Sequence, residues 1–204
     1  MKQRLAAMLD LQDVINARID PNWTARDFAW YRAVWVECAE LLDHYGWKWW
    51  KQQNPDIEQV KLELVDIWHF GLSLLLLQDV PRDRLIADLT LHFSESPAGE
   101  DFPAEVEHFA LQVLATRDFD VGGFARLMAT AGLDFSELYR RYVGKNVLNR
   151  FRQDHGYQDG SYRKLWQGRE DNEHLVEVAA ALDDASADFQ HHVYQALLQR
   201  YRET

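Results

Sequence analysis

The sequence predicts an all-α fold, and three observations carry that expectation. Proline is scarce, at five in 204 residues. Apolar residues recur at helical spacing along most of the chain, and no alternating run is long enough for a convincing sheet. Leu5, Met8, Leu9, Gln12 and Ile15 trace one face of a first helix that ends at Asp20-Pro21. Thr24 with Asp27 has the spacing of a capping box and is expected to open a second helix, which stops near Gly46. An aromatic-basic connector follows, Trp47 to Lys51, then Asn54-Pro55 and a third helix from about Ile57 to Gln78. The span 82–133 reads as two or three shorter helices around a loop of small and acidic residues, Ser94 to Pro103. A further helix opens at Asp134 or Ser136 and runs to about Gln153. Gly156, Gly160 and Gly168 then punctuate an irregular stretch, and two amphipathic helices close the chain. Residues 1–204 are expected to form one catalytic domain, with 82–133 free of chemical motifs and suited to packing or subunit contact.

Composition narrows the function. A hydrophobic content of 47% with eight Trp excludes a disordered chain, and most of the Trp are expected in the core. The single cysteine, Cys38, excludes a disulfide framework and a cysteine-rich zinc site; it reads as a small core residue in a reducing cytoplasm. The charged N-terminus lacks the pattern of a secretory leader. The greasiest run, Ile67 to Leu77, is too short to span a bilayer. A net charge of −11 argues against nucleic-acid and anionic-membrane binding. Eight Trp, eight Tyr and ten Phe are more large apolar surface than one such chain readily buries, which predicts a homodimer.

The most informative feature is a set of carboxylates in two pairs, Glu37 with Glu40 and Glu63 with Asp66, each pair three residues apart inside an apolar helical stretch. Residues at that spacing project from one helix face. Val34 and Leu41 flank Glu37, Val36 precedes Glu40, and Val60 and Ile67 flank Glu63. A buried, unpaired carboxylate costs several kcal/mol or takes up a proton. A divalent cation is the simplest reason for four of them, and an all-oxygen ligand set favours Mg²⁺, with Mn²⁺ second.

A second constellation lies downstream. Arg141, Lys145, Asn149 and Arg152 fall at spacings of four, four and three, hence on one helical stripe. The stripe runs into a glycine- and tyrosine-bearing segment, His155 to Tyr162, with Lys164 and Asn172 beyond. Cations flanking an amide suit a metal-chelated polyphosphate with a base attached.

Glu37-x-x-Glu40, Glu63-x-x-Asp66 and the block from Lys145 to Tyr157, in that order, resemble the dimeric, all-α dUTPases of the all-α NTP pyrophosphatase group. The resemblance continues through Gly160–Trp166 and Gly168–Asn172 and reaches back to Gln12, Asn16 and His44–Lys51, about half the chain. Gln158 stands where many members carry Lys. The resemblance implies hydrolysis of dUTP, and of dUDP, to dUMP by a Mg²⁺-activated water. It implies metal ligands at Glu37, Glu40, Glu63 and Asp66, with one glutamate of the first pair, Glu40 ahead of Glu37, orienting or deprotonating the water. It implies phosphate contacts from Lys51, Lys145, Arg152, Tyr157, Lys164 and Asn172, and a nucleoside pocket from Gln12, Asn16, Trp50, His69 and Asn149, some of them reaching across a dimer.

Three rivals are weighed against this reading. A carboxylate-bridged di-iron bundle finds a foothold in Asp66-x-x-His69 but has no use for the cationic stripe. A helical interaction protein would pair the acids with Lys48 and Lys61. A pyrophosphatase for another nucleotide, such as dCTP, keeps the chemistry and changes the base.

Overall fold

The computed structural model describes residues 1–184, 186 and 188–203, which contain nine α-helices, one 3₁₀ turn and a single two-stranded ribbon. The fold is an all-α bundle. Two compact units make it up, residues 1–138 and 139–204.

The first unit is built around α2 (Trp30–Tyr45) and α3 (Ile57–Leu77), which pack on each other along their lengths. Asp56 caps α3 by accepting from the Gln59 amide, and α2 ends at Gly46, whose φ of 95° a side chain would resist. Val34, Cys38 and Leu41 of α2, and Val60, Leu64 and Ile67 of α3, are buried. The remaining helices of this unit close the core. α1 (Lys2–Ile19) lies on α3 and on α4 (Arg82–Glu95), α5 (Phe102–Thr116) lies on α2, and α6 (Val121–Thr130) bridges α5 and α4. Trp68 of α3 stacks on Phe124 with ring centres 5.3 Å apart and donates its indole N–H to Met8 Sδ at 3.3 Å.

The expected start of the second helix is corrected. Residues Trp23–Ala25 form one 3₁₀ turn, and α2 begins only at Trp30 without a side-chain cap. Asp20 is the reason: its carboxylate accepts from the Asn22 amide and the Arg26 guanidinium, which stabilises the tight turn, while Trp23 is buried behind it. The expectation for tryptophan is also corrected. Trp23, Trp68 and Trp166 are buried, but Trp35, Trp47, Trp49 and Trp50 are exposed in the chain as it stands, because three of them sit on the connector and Trp35 faces away from α3.

α7 (Phe135–Asp154) opens in the first unit and continues into the second. In the second unit Phe151 is the aromatic hub, with Tyr162, Trp166, Tyr194 and Tyr201 around it. The ribbon pairs Leu165–Trp166 with Arg169–Glu170 and was not anticipated from sequence, being too short to show alternation. Its turn is Gln167-Gly168, both at positive φ. α8 (Asp171–Ala181) and α9 (Phe189–Arg202) pack on each other and complete this unit. No described helix is long and apolar enough to cross a membrane.

Gly71 sits where α3 meets Phe119, and a methyl group there would overlap the Phe119 ring. That ring is held by Trp68, Phe109 and Phe124 and has little room to retreat. Gly71→Ala is therefore expected to destabilise the protein by about 1–3 kcal/mol in urea unfolding, despite the better helix propensity of alanine.

Candidate functional site

Apolar packing of α2 on α3 brings carboxylates from both helices together. Glu37, Glu63 and Asp66 converge so that one oxygen of each lies within 4.8 Å of the others. Glu63 is buried; Glu37 and Asp66 are partly so. Glu40, the fourth acid expected from sequence, is exposed and lies outside this group. The face explains it: Val36, one turn before Glu40, is exposed too, so this edge of α2 turns outward.

The crowding of these acids has an electrostatic consequence. Burial, with the charges of Asp66, Glu40 and Glu63 adding to it, pushes the Glu37 carboxyl up to about 8 from an ordinary 4.5. Cys38 beside it is pushed up to about 12, by burial first and the Glu37 charge second, so its thiol stays protonated and acts as core. His44, one helical turn beyond Glu40, brings Nε2 to 3.3 Å from Glu63 Oε1. It was missed as a site residue, although spacings of three and four from Glu37 through Glu40 to His44 put all three on one face.

The lysines that could have neutralised these acids are committed elsewhere. Lys61 bonds Glu137 at 3.0 Å and Lys48 bonds Asp43 at 3.0 Å. Lys48 and Lys61, the partners named for the acid pairs, are thus taken by other carboxylates. The donor set is all oxygen and close-set. These residues fit Mg²⁺ or Mn²⁺.

The expected nucleoside residues of this unit separate into two groups. Gln12 and Asn16 of α1 form a buried network with Ser73: Gln12 Nε2 donates to Asn16 Oδ1 at 3.0 Å, and Asn16 Nδ2 donates to Ser73 Oγ at 2.9 Å. His69 Nδ1 joins it at 3.1 Å from Gln12 Oε1. Ser73 went unnoticed within an apolar run, though it follows His69 by one turn. Trp50 stands apart, edge-on to Trp47 and Trp49 in the connector. Lys51 lines a cavity of about 940 Å³ with Trp47, Lys48, Trp49, Leu42 and Pro103. Ala39, Leu42 and Asp43 border this cavity, so it opens on the face of α2 turned away from Glu37.

In the second unit, Lys145, Asn149 and Arg152 lie along α7 as expected. Arg152 is the centre of a bonded group. Its Nε and Nη2 reach the two oxygens of Asp171 at 2.8 and 2.9 Å, and further bonds go to Asn149 and Asn172. Burial works against the arginine's charge, and the Asp171 carboxylate more than offsets this, so its pKa is raised. Tyr157 is exposed with its ring 6.2 Å from that of Tyr162, and Lys164 pairs with Glu170 at 3.5 Å. Gly156, at φ 90°, lets the chain fold back so closely on Ser161 that a side chain would collide with its hydroxyl.

Fold and site together define a helical protein with a close-set carboxylate cluster that could hold a metal ion. The family model for dUTPase matches residues 4–157, and the chain belongs to the dUTPase family. The match takes in both acid pairs and the Lys145–Tyr157 block; Lys164, Asp171 and Asn172 lie beyond it. No curated protein matches the chain.

The raised Glu37 carboxyl gives the metal-free protein a definite pH dependence. The folded state favours the neutral acid, so its contribution is complete below 4.5 and is lost as pH rises through about 8. In chelator, the melting temperature should fall across that window, and Glu37→Gln should flatten the fall. A melting profile of the variant as steep as wild type, followed by circular dichroism, would remove Glu37 as its source.

Proposed function

We propose that this chain hydrolyses dUTP, and dUDP, to dUMP. The observation that carries the reading is the convergence of Glu37, Glu63 and Asp66, and family membership supports the substrate. These three residues would hold Mg²⁺, with Glu40 at the rim. The bound ion would neutralise charge on the phosphate oxygens and lower the pKa of water.

The rest of the chemistry belongs to the protein's own groups. Glu40 takes the proton of the attacking water at a carboxylate oxygen, being the exposed acid on the same face of α2 as Glu37. His44 steadies Glu63 from the last turn of that helix. Gln12, Asn16, His69 and Trp50 serve the nucleoside, the first three as a preordered polar network and Trp50 as a stacking ring. Asn149 reads the base edge. Lys51, Lys145, Tyr157, Lys164 and Asn172 bind phosphate oxygens, and Arg152 offers only the Nη1 edge that Asp171 leaves open. The two units form one catalytic domain, the protein acts as a homodimer in the cytoplasm, and the exposed tryptophans favour the dimer.

A panel of dUTP, dUDP, dCTP, dTTP and UTP with Mg²⁺, read by product chromatography, tests the substrate. Turnover of dUTP and dUDP to dUMP is expected, with little action on the others. Equal turnover of dCTP or dTTP would replace this reading with a broader nucleotide pyrophosphatase. Glu63→Ala or Asp66→Ala should lower kcat by about 10³-fold or more while the fold persists, since losing a negative charge relieves the cluster. Wild type should gain thermal stability with Mg²⁺ and these variants should not.

A further inference from the structure

A cavity of about 340 Å³ lies in the first unit where the ends of α4 and α6 meet the start of α7. None of its lining residues belongs to the carboxylate cluster or to the nucleotide contacts proposed above. Its inner wall is apolar. Met128 and Leu133 are buried, and the half-buried rings of Phe93 and Phe135 stand 5.5 Å apart at 48°. Its mouth is polar, with Ser96 half-buried and Asp134 exposed. Among the described residues that line it, Asp134 is the only charged one. Oδ1 of Asp134 accepts from the Glu137 amide at 2.8 Å, which answers the positive end of α7 and leaves Oδ2 for a second partner. α4 ends at Glu95 and α6 at Thr130, so two helices bring their carbonyl-bearing, negative ends to the same place.

We propose that this cavity binds a small organic cation, a primary ammonium carried on one aromatic ring or a short branched alkyl chain. The apolar body packs against Phe93, Met128 and Leu133, and the ammonium sits at the mouth beside Asp134. Each half of the lining excludes a simpler occupant. A neutral apolar molecule would cover the inner wall and leave the carboxylate and the two helix ends without a counter-charge. An anion would meet Asp134 and those same ends. A bare divalent ion would find one carboxylate and have no use for the rings. An ammonium joined to an apolar body satisfies both halves, and a phenylalanine face adds its own attraction for a cation. The volume stands at the lower end of small-ligand pockets, which limits the body to about one ring.

Two probes of the same shape separate charge from apolar fit: 2-phenylethylammonium chloride and the neutral 2-phenylethanol. Each is titrated into protein carrying ¹³C at its methionine methyl groups and followed by NMR. The chain has three methionines, and Met1 and Met8 lie outside the lining and serve as references. The Met128 methyl signal should shift saturably with the ammonium while the other two stay in place. The ammonium should bind about 10-fold or more tightly than the alcohol. Asp134→Asn removes the charge and keeps a side-chain oxygen to cap α7, so the preference should fall to about twofold or less. Equal affinity of the wild type for the two probes overturns the assignment of a cation. A Met128 signal that does not move with the ammonium overturns the site. An ammonium preference that survives Asp134→Asn undiminished takes the carboxylate out of the recognition and overturns the proposal as well. The comparison of the two probes on wild type stands whether or not the variant folds.

Discussion

Glu37, Glu63 and Asp66 are forced together against their mutual repulsion, and the first unit is organised around what makes that possible. The force is apolar. Val34, Cys38 and Leu41 of α2 meet Val60, Leu64 and Ile67 of α3, all buried. Each large aliphatic side chain contributes about 1.5–3 kcal/mol on burial, so together they outweigh the cost of crowding carboxylates at one edge of the interface. The conflict shows in the Glu37 carboxyl, which burial and its acidic neighbours push up to about 8.

The surroundings of the cluster serve the same end. Lys48 and Lys61 are held by Asp43 and Glu137. His44 faces Glu63 from the last turn of α2. In the Gln12–Asn16–Ser73–His69 network buried polar groups on core helices bond to one another. The second unit repeats the principle with opposite charge. Arg152 is a half-buried cation made tolerable by the buried carboxylate of Asp171.

Much was legible in the sequence because it depends on local periodicity. The helical order follows from apolar spacing, and α2 stops at Gly46 as expected. The acid pairs stood out because charge at i and i+3 inside an apolar helix is costly without a partner. The ordered block from Lys145 to Tyr157 carried the family. Local signals failed where a distant group decided the outcome. The Thr24–Asp27 spacing looked like a cap, but Asp20 drew Arg26 and the Asn22 amide into a turn instead.

What the sequence determined by itself was therefore the class of fold, the identity of the acids and the family, each a matter of residue type at fixed spacing along one helix. Tertiary structure alone decided which acids meet. It put Glu37 with Glu63 and Asp66 and left Glu40 at the rim, because the rotation of α2 about its axis is set by packing on α3 and α5. It also singled out Asp171, which sits in a run of polar residues with no periodic signal and gains its meaning only when the chain folds back to place Arg152 and Tyr162 on its two oxygens. Helical spacing is a property of one segment; the partner of a buried charge is a property of the whole packed unit.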